Sequence, residues 1–405
     1  MRTRPWCVAV ALVVTCASAN AQTVLTEADA LSRLSPESPR VRALRSSIGV
    51  VRAETFAIST WPNPRLYVGR EAVAGVAETM VTVAQPLPIT GRRSLERSGA
   101  EELVSAATSR SDDALGRARA DLRQAYAELA AIQIRERESN GARAHLQELA
   151  DILAKREAEG DAAGFDRLRA ERELFDLDAD LAALAADRTR AQGALVTFFA
   201  SPSDPSTIVV ADRAASTVPL PAVASLIETA ERSRGEQLAL QREKEAARLF
   251  AQASGRRKIP EPELLVGTKS SSAMGGDVGS VISVQAVIPL FNHGQPERTI
   301  ADAKAAQAQA RLDAFRAALR NDIATLHAVA IERRRAAERY RTALSNAADL
   351  ERIARVSYEA GERGILELLD AYRLGLSSRL RVVALDAAAR EAEIELEFVS
   401  GQELP

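Results

Sequence analysis

Two long stretches without proline constrain the fold of this chain more than any other feature. Proline is absent from 89–201 and from 297–404, although the chain contains 16 prolines. Because proline breaks a helix interior, these stretches can form helices far longer than those of an ordinary globular domain. Both are rich in Ala, Leu, Arg and Glu, and aromatic residues make up only 4% of the chain, a composition typical of long helices and coiled coils. The sequence therefore predicts a mainly α-helical protein.

Each proline-free stretch is predicted to form a helical hairpin. The first has helices from about Arg92 to Glu159 and from Asp166 to Ala200, and the second from about Arg298 to Ala360 and from Leu366 to Ser400. At about 1.5 Å per residue, the first of these helices would be roughly 100 Å long. Apolar residues recur at spacings of three and four in both return helices, which indicates a coiled-coil seam.

A short alternating region precedes each hairpin. It predicts two strands at about 65–70 and 78–85 in the first half, with a loop over 71–77, and two at about 263–269 and 280–288 in the second. One apolar and one polar face suit a barrel strand between lipid and lumen, and equally a soluble, half-buried sheet. Four strands are too few to close a barrel, so several copies of the chain would be needed.

These similarities predict an internal repeat. The first copy covers 22–200, a linker covers 201–221, and the second copy covers 222–401. An extra helical segment opens each copy. The first, at about 26–60, is expected to break near Pro39 because proline interrupts a helix, whereas the second is predicted as one helix over 222–254.

The N-terminal residues have the pattern of a secretory signal peptide over 1–21. Arg2 and Arg4 are followed by an apolar stretch and by Ala19-Asn20-Ala21, so the mature chain is expected to begin at Gln22. The chain's two cysteines, at positions 7 and 16, both fall inside this segment. Lipidation of Cys16 is disfavoured because Thr15 precedes it.

Composition and motifs argue against several functional classes. The net charge is −2, so no basic field indicates nucleic acid. The three histidines, His145, His293 and His327, are far apart in sequence, whereas metal sites need clustered ligands. No Walker loop, G-x-S-x-G or H-E-x-x-H motif occurs. We therefore expect no enzyme activity, no cofactor and no metal site.

Strand pairs followed by long hairpins, used twice behind a signal peptide, resemble the TolC family of outer-membrane efflux proteins over 26–401. The resemblance implies a homotrimer in which each chain gives four strands to one twelve-stranded barrel in outer-membrane lipid. The helices would form a tunnel across the periplasm, and a periplasmic adaptor and an inner-membrane pump would be the partners. The segment 85–93 resembles the cobalt–zinc–cadmium branch, which implies heavy-metal cations as cargo.

The tip of the second hairpin, 356–363 and then 366–371, resembles the family's periplasmic gate. The resemblance implies that Tyr358 and Arg363 lock the closed end by holding Asp166 of the other hairpin. A charge-assisted bond from Arg363 to Asp166 would suit that role.

Glu367 and Asp370 fall on an acidic pair that the resemblance places around the entrance. Residues three apart share a helix face, so three copies would form a cation-favouring ring of six carboxylates. The first tip departs from the family because 161–164 is rich in Ala and Gly. The tip glycines expected at adaptor docking are Gly160, Gly164, Gly361 and Gly364.

Two alternatives remain open at the level of the sequence. Charged residues on such helices often serve only for solvation. A soluble periplasmic coiled-coil scaffold or adaptor could use the same hairpins, although it would leave the repeated strand pairs unexplained.

Overall fold

The computed structural model describes residues 24–160, 164–213, 216 and 218–404. Long helices dominate these ranges and a small sheet completes them, which confirms the prediction of a mainly α fold with a small β part. The predicted signal peptide and Cys16 lie outside the described residues. None of the described helices is long and apolar enough to cross a membrane.

Eight α-helices and six strands lie within the described ranges. The helices are α1 Glu27–Arg33, α2 Pro39–Ser59, α3 Arg92–Ala158, α4 Gly164–Val196, α5 Val223–Ser233, α6 Gly235–Gly255, α7 Gln295–Glu359 and α8 Ile365–Ser400. The strands are β1 Val24–Leu25, β2 Arg65–Val73, β3 Val76–Pro86, β4 Val209–Val210, β5 Pro262–Ser271 and β6 Val278–Ala286.

The helices α3 and α7, with 67 and 65 residues, organise the molecule. Each is about 100 Å long at 1.5 Å per residue. α2 and α4 pack along α3, and α6 and α8 pack along α7. α6 and α8 also contact α3, so they join the two halves of the chain side by side.

The predicted break near Pro39 occurs between α1 and α2. Ser38 caps α2 by accepting a hydrogen bond from the Val41 amide at 3.2 Å, and Pro39 occupies the first turn, where its missing N–H costs nothing.

The prediction of one helix over 222–254 is wrong, because the chain breaks between α5 and α6. Arg234 adopts an extended conformation there (φ −63°, ψ 120°). Its neighbour Gly235 lies so close to α3 that a Cβ atom would be 2.3 Å from the Ser109 carbonyl oxygen. The break is therefore caused by tertiary packing, and no proline marks it.

One antiparallel sheet has the strand order β2-β3-β5-β6. The strands β2 and β3 are longer than predicted, because the expected loop over 71–77 is a two-residue turn at Ala74 and Gly75, with φ of 51° and 84°. Two left-handed residues match the twist of a hairpin. At the other edge, β6 ends at Ala286, so the predicted strand positions 287 and 288 lie beyond the strand.

The two faces of the sheet differ in burial. On β3, Thr82 and Ala84 are buried, whereas Val81 and Val83 on the opposite face are exposed. Ile282 on β6 is likewise exposed. Within the described residues of one chain, the apolar face of the sheet is thus uncovered, and β2 and β6 each have one edge without a partner strand.

Candidate functional site at the hairpin tips

Both long helices end at a glycine in the left-handed region. Gly160 follows α3 with φ 95°, and Gly361 follows α7 with φ 74°. The Gly361 amide donates to the Tyr358 carbonyl at 3.0 Å, and the Gly160 amide to the Glu157 carbonyl at 3.1 Å. Glycine adopts this conformation without steric cost, which is why each hairpin reverses at that position.

The second tip closes over the end of α7. The amides of Glu362 and Arg363 donate to the Ser357 carbonyl at 2.9 and 3.3 Å. Gly364 then caps α8 without a side-chain hydrogen bond. A Cβ atom on Gly364 would lie 3.2 Å from Glu367 Oε2. The Glu367 carboxylate therefore lies against the α8 N-terminus, where the helix dipole stabilises a negative charge.

The first tip is held by ion pairs. Arg167 Nε donates to Glu157 Oε2 at 2.5 Å and Arg167 Nη1 to Glu171 Oε1 at 2.5 Å. Gly164 begins α4, and a Cβ atom there would lie 2.7 Å from Glu157 Oε1. Glycine at this position leaves room for the Glu157 carboxylate. Residues 161–163 lie outside the described residues.

Tyr358 and Asp166, from different hairpins, are near each other. Burial raises the pKa of Tyr358, the negative charge of Asp166 raises it further, and the positive charge of Arg156 opposes both effects. Arg156, in the last turn of α3, was not identified from the sequence, because its partner comes from the other hairpin.

Arg363 is exposed. Within the part of the chain that the structure describes, it makes no side-chain hydrogen bond or ion pair. The bond from Arg363 to Asp166 is thus not formed inside one chain and stays a prediction for contacts between copies.

Glu367 and Asp370 are exposed on the first two turns of α8. Arg373 is the next residue on that face. A hydrogen bond to Glu173 raises the pKa of its guanidinium, and the negative charge of Asp370 adds a smaller effect in the same direction. The Arg373 Nε to Glu173 Oε1 distance is 2.7 Å. Sequence reasoning missed this cation, although the spacing of three from Asp370 was a signal for it.

The two hairpins share one apolar core beneath the tips. Leu153 of α3, Leu174 of α4 and Leu368 of α8 are buried in it, and Tyr358 packs against it. The two tips differ in burial, since Leu369 of α8 is 6% exposed and Leu168 of α4 is 57% exposed. Phe165 and Leu366, next to the tips, are also largely exposed.

Comparison with known proteins gives one family match, in the second half of the chain. Residues 226–402 match the family model described as outer membrane efflux protein. The second half of the chain thus has the sequence of an outer membrane efflux protein. Among curated protein sequences, none is significantly similar to it.

Solved structures share the fold of this protein at low sequence identity. The outer membrane protein VceC of Vibrio cholerae has a TM-score of 0.74 and 16% identity, covering 93% of this chain and 96% of VceC. The MtrE outer membrane channel of Neisseria gonorrhoeae, in its open state, has a TM-score of 0.73 and 16% identity over 93% and 89% of the two chains. CusC has a TM-score of 0.76 and 16% identity over 93% and 92%.

The described residues of this protein contain no cluster of three or more His, Cys, Asp or Glu side chains suited to a metal ion. His293 Nδ1 lies 3.0 Å from the Pro289 carbonyl oxygen, and His327 Nε2 lies 3.0 Å from that of Pro221. His145 lines a cavity of about 250 Å³ between the two hairpins. Two of the three histidines thus fix backbone turns.

Proposed function

We propose that this protein is the exit duct of a tripartite efflux system, a passive channel that carries small solutes across the periplasm and the outer membrane. One observation carries the proposal. A four-stranded sheet with an exposed apolar face continues directly into helices of 67 and 65 residues. One chain therefore combines a part suited to a bilayer with a part long enough to extend far from it.

The duct would be a homotrimer. Within the described part of one chain, the outer edges of β2 and β6 have no partner strand, and an open edge can pair with a strand of another chain. Pairing β6 of one copy with β2 of the next would join three sheets into a barrel of twelve strands. The exposed apolar residues Val81, Val83 and Ile282 would then face lipid. The internal repeat over 22–200 and 222–401 would give each chain two equivalent hairpins.

The tips would be the gate. The proximity of Asp166 and Tyr358 supports a contact between hairpins at this end. The exposed guanidinium of Arg363 is available to a neighbouring copy, where it would bind Asp166 and hold the tip closed.

Glu367 and Asp370 would form the acidic ring at the entrance and favour cations. The resemblance of 85–93 to the cobalt–zinc–cadmium branch supports heavy-metal cations as the cargo. Because the described residues contain no metal cluster, selection among cations would occur upstream in the pump.

The partners would be a periplasmic adaptor and an inner-membrane pump. The tips bearing Gly160, Gly164, Gly361 and Gly364 would be the docking surface for the adaptor. The exposed apolar side chains of Phe165 and Leu366 beside these glycines support that role.

Single-channel conductance of the purified mature protein in a planar bilayer tests the proposal. We expect stable unitary steps, larger for Arg363→Ala and cation-selective in both forms. Arg352→Ala is the matched control, since Arg352 is exposed on the same hairpin and its ion pair among the described residues is with Asp349 of its own helix, at 3.3 Å. Folded protein without steps in any form would overturn the duct. Release of the protein by osmotic shock would then favour a soluble scaffold.

The ring has its own test. Glu367→Gln with Asp370→Asn should lower cation selectivity, measured as a smaller reversal potential across a salt gradient. Asp349→Asn with Glu332→Gln removes the same charge from exposed positions on α7 and should leave that potential unchanged. Equal reversal potentials in both double variants would show that the ring does not select ions.

A further inference from the structure

Exposed apolar side chains gather at one end of the sheet. Trp61 precedes β2, Ile89 follows β3, Ile259 precedes β5 and Phe291 follows β6. The register of the four strands places these connections at the same end. The exposed fractions are 60% for Trp61, 72% for Ile89, 48% for Ile259 and 93% for Phe291. We call these four side chains the basal apolar residues.

Polar contacts tie these connections into one surface. Arg93 Nη2 donates to the Ile58 carbonyl at 3.1 Å, which holds the segment before Trp61 against the start of α3. Arg92 Nη2 donates to Glu261 Oε2 at 3.0 Å, which joins the start of α3 to the segment before β5.

A close backbone approach completes the surface. Gly294, in the connection after β6, packs so tightly that a Cβ atom would lie 2.5 Å from the Ser254 carbonyl oxygen and 2.8 Å from Arg257 Cβ. The short turn 256–258 therefore lies beside the connection that carries Phe291.

That turn adds positive charge next to the basal apolar residues. Arg256 and Lys258 are exposed, and no hydrogen bond or ion pair engages either side chain within the described part of the chain. The nearby acids are engaged instead, Glu261 with Arg92 at 3.0 Å and Glu297 with Arg257 at 2.5 Å. The uncompensated charge of this surface is thus positive.

We propose that this end of the sheet binds anionic phospholipid. The basal apolar residues enter the boundary of the acyl chains, and Arg256 and Lys258 bind the phosphate groups. Trp and other aromatic residues favour the membrane interface, and basic side chains beside it attract anionic headgroups. The inference rests on the proposed placement of the sheet in the outer membrane. It adds a preference for negatively charged lipid in the leaflet that faces the helices.

A built-in probe reports on this surface. The chain has two tryptophans, Trp6 and Trp61, so Trp61 is the only one in a mature chain that begins at Gln22. Purified mature protein in neutral detergent micelles is titrated with brominated phosphatidylglycerol or with brominated phosphatidylcholine, and quenching of Trp61 fluorescence is measured. We expect phosphatidylglycerol to quench at a roughly thirtyfold lower lipid fraction, from two basic side chains at an anionic surface.

Two double variants decide the role of the charges. In Arg256→Gln with Lys258→Gln the preference should disappear while quenching by phosphatidylcholine persists. Lys304→Gln with Arg311→Gln removes the same charge from exposed positions on α7, about 14 and 24 Å beyond the start of that helix. This control should keep the wild-type preference.

Three results would overturn the proposal. One is equal quenching of the wild type by both lipids, and another is an unchanged preference in Arg256→Gln with Lys258→Gln. The third is an absence of quenching by either lipid, which would place a second copy of the chain over Trp61. Conductance in a pure phosphatidylcholine bilayer separates this inference from the duct itself. If the protein conducts but shows no lipid preference, only the lipid-binding inference is rejected. If it shows the preference but does not conduct, only the proposed duct function is rejected.

Discussion

Arg373 of α8 and Glu173 of α4 form a two-point ion pair between the hairpins. Arg373 Nε lies 2.7 Å from Glu173 Oε1, and Nη2 also contacts Oε2. Further along α8, Arg379 Nε lies 3.1 Å from Glu138 Oε2 of α3. Ion pairs thus fasten α8 to both helices of the first hairpin, beside the shared apolar core.

We expect Arg373→Gln to loosen this fastening. Because the guanidinium is largely exposed, loss of the pair should lower the free energy of unfolding by less than about 1 kcal/mol. The larger effect should be on conductance, which should rise because the hairpins separate more readily. Single-channel recordings and a thermal melt measure the two effects.

Arg172→Gln is the matched control for Arg373→Gln. Arg172 is exposed on α4 and pairs within its own helix with Asp176 at 2.7 Å. This variant loses the same charge without separating the hairpins, so its conductance should equal that of the wild type. Equal conductance of both variants would show that Arg373 does not fasten the tip.

The sequence predicted those parts of the fold that depend on local rules. The start of α3 at Arg92 and the break at Pro39 follow from proline positions and helix periodicity. The break at Arg234 did not, because its cause is the packing of Gly235 against Ser109 of a distant helix. Similarly, the two-residue turn at Ala74 could not be predicted from the sequence, since alanine rarely adopts a positive φ.

The candidate site was predictable only as positions along the chain. Spacing placed Glu367 and Asp370 on one helix face, and the structure has both exposed there. The partners of Tyr358 and Arg373 come from the other hairpin, so neither Arg156 nor Glu173 could be assigned from local sequence.

Gly235→Ala should destabilise the protein. The new Cβ atom would lie 2.3 Å from the Ser109 carbonyl oxygen and 2.8 Å from Asp113 Cβ, so α6 and α3 must move apart at a cost of about 1–3 kcal/mol. Gly141→Ala is the control, because that glycine lies inside α3 with nothing within 4 Å of an added Cβ. It should stabilise the helix by up to about 1 kcal/mol.

Urea unfolding of the detergent-solubilised protein measures both glycine variants. The midpoint should fall for Gly235→Ala and rise for Gly141→Ala. A rise of the midpoint in both variants would mean that helix propensity, and not the contact with Ser109, dominates at Gly235.

Glu27 stabilises the folded protein, and this stabilisation is lost in acid. Burial alone would raise its pKa, but Arg123, Arg390 and Arg213 outweigh that effect and lower it below 4.5. Since the unfolded carboxyl has the higher pKa, the stabilisation is present above about pH 4.5 and is lost as the pH falls through the folded pKa.

Glu27→Gln should lower the free energy of unfolding at neutral pH by about 3 kcal/mol, because partly buried arginines lose their counter-charge. The deficit relative to the wild type should shrink as the medium becomes acidic. Glu228→Gln, which breaks the exposed pair with Arg232, should change little at any pH. Urea midpoints measured across the acid range would contradict this account if the deficit of Glu27→Gln stayed constant.

Tyr126 should govern part of the loss of stability in alkali. Its hydroxyl lies 2.9 Å from the carbonyl oxygens of Leu25 and Ala211 and is buried where β1 and β4 meet α3. Burial raises the pKa of Tyr126 above its ordinary 10.0, and the hydrogen bond to Ala211 only partly opposes this. Because the folded pKa exceeds the unfolded one, stability is fully present below about pH 10.0 and is lost as the pH rises through the folded pKa.

Tyr126→Phe should therefore be less stable than the wild type at neutral pH, by about 1–2 kcal/mol, since the Leu25 and Ala211 carbonyls lose the one hydroxyl donor that they share. Above pH 10.0 its stability should fall less steeply than that of the wild type, so the two curves converge. Tyr340→Phe, at a half-buried position on α7, is the control and should run parallel to the wild type. Urea midpoints measured from neutral pH into alkali give these slopes. A Tyr126→Phe curve parallel to the wild type would mean that alkali unfolds the protein at another site, leaving Tyr126 with a purely structural hydrogen bond.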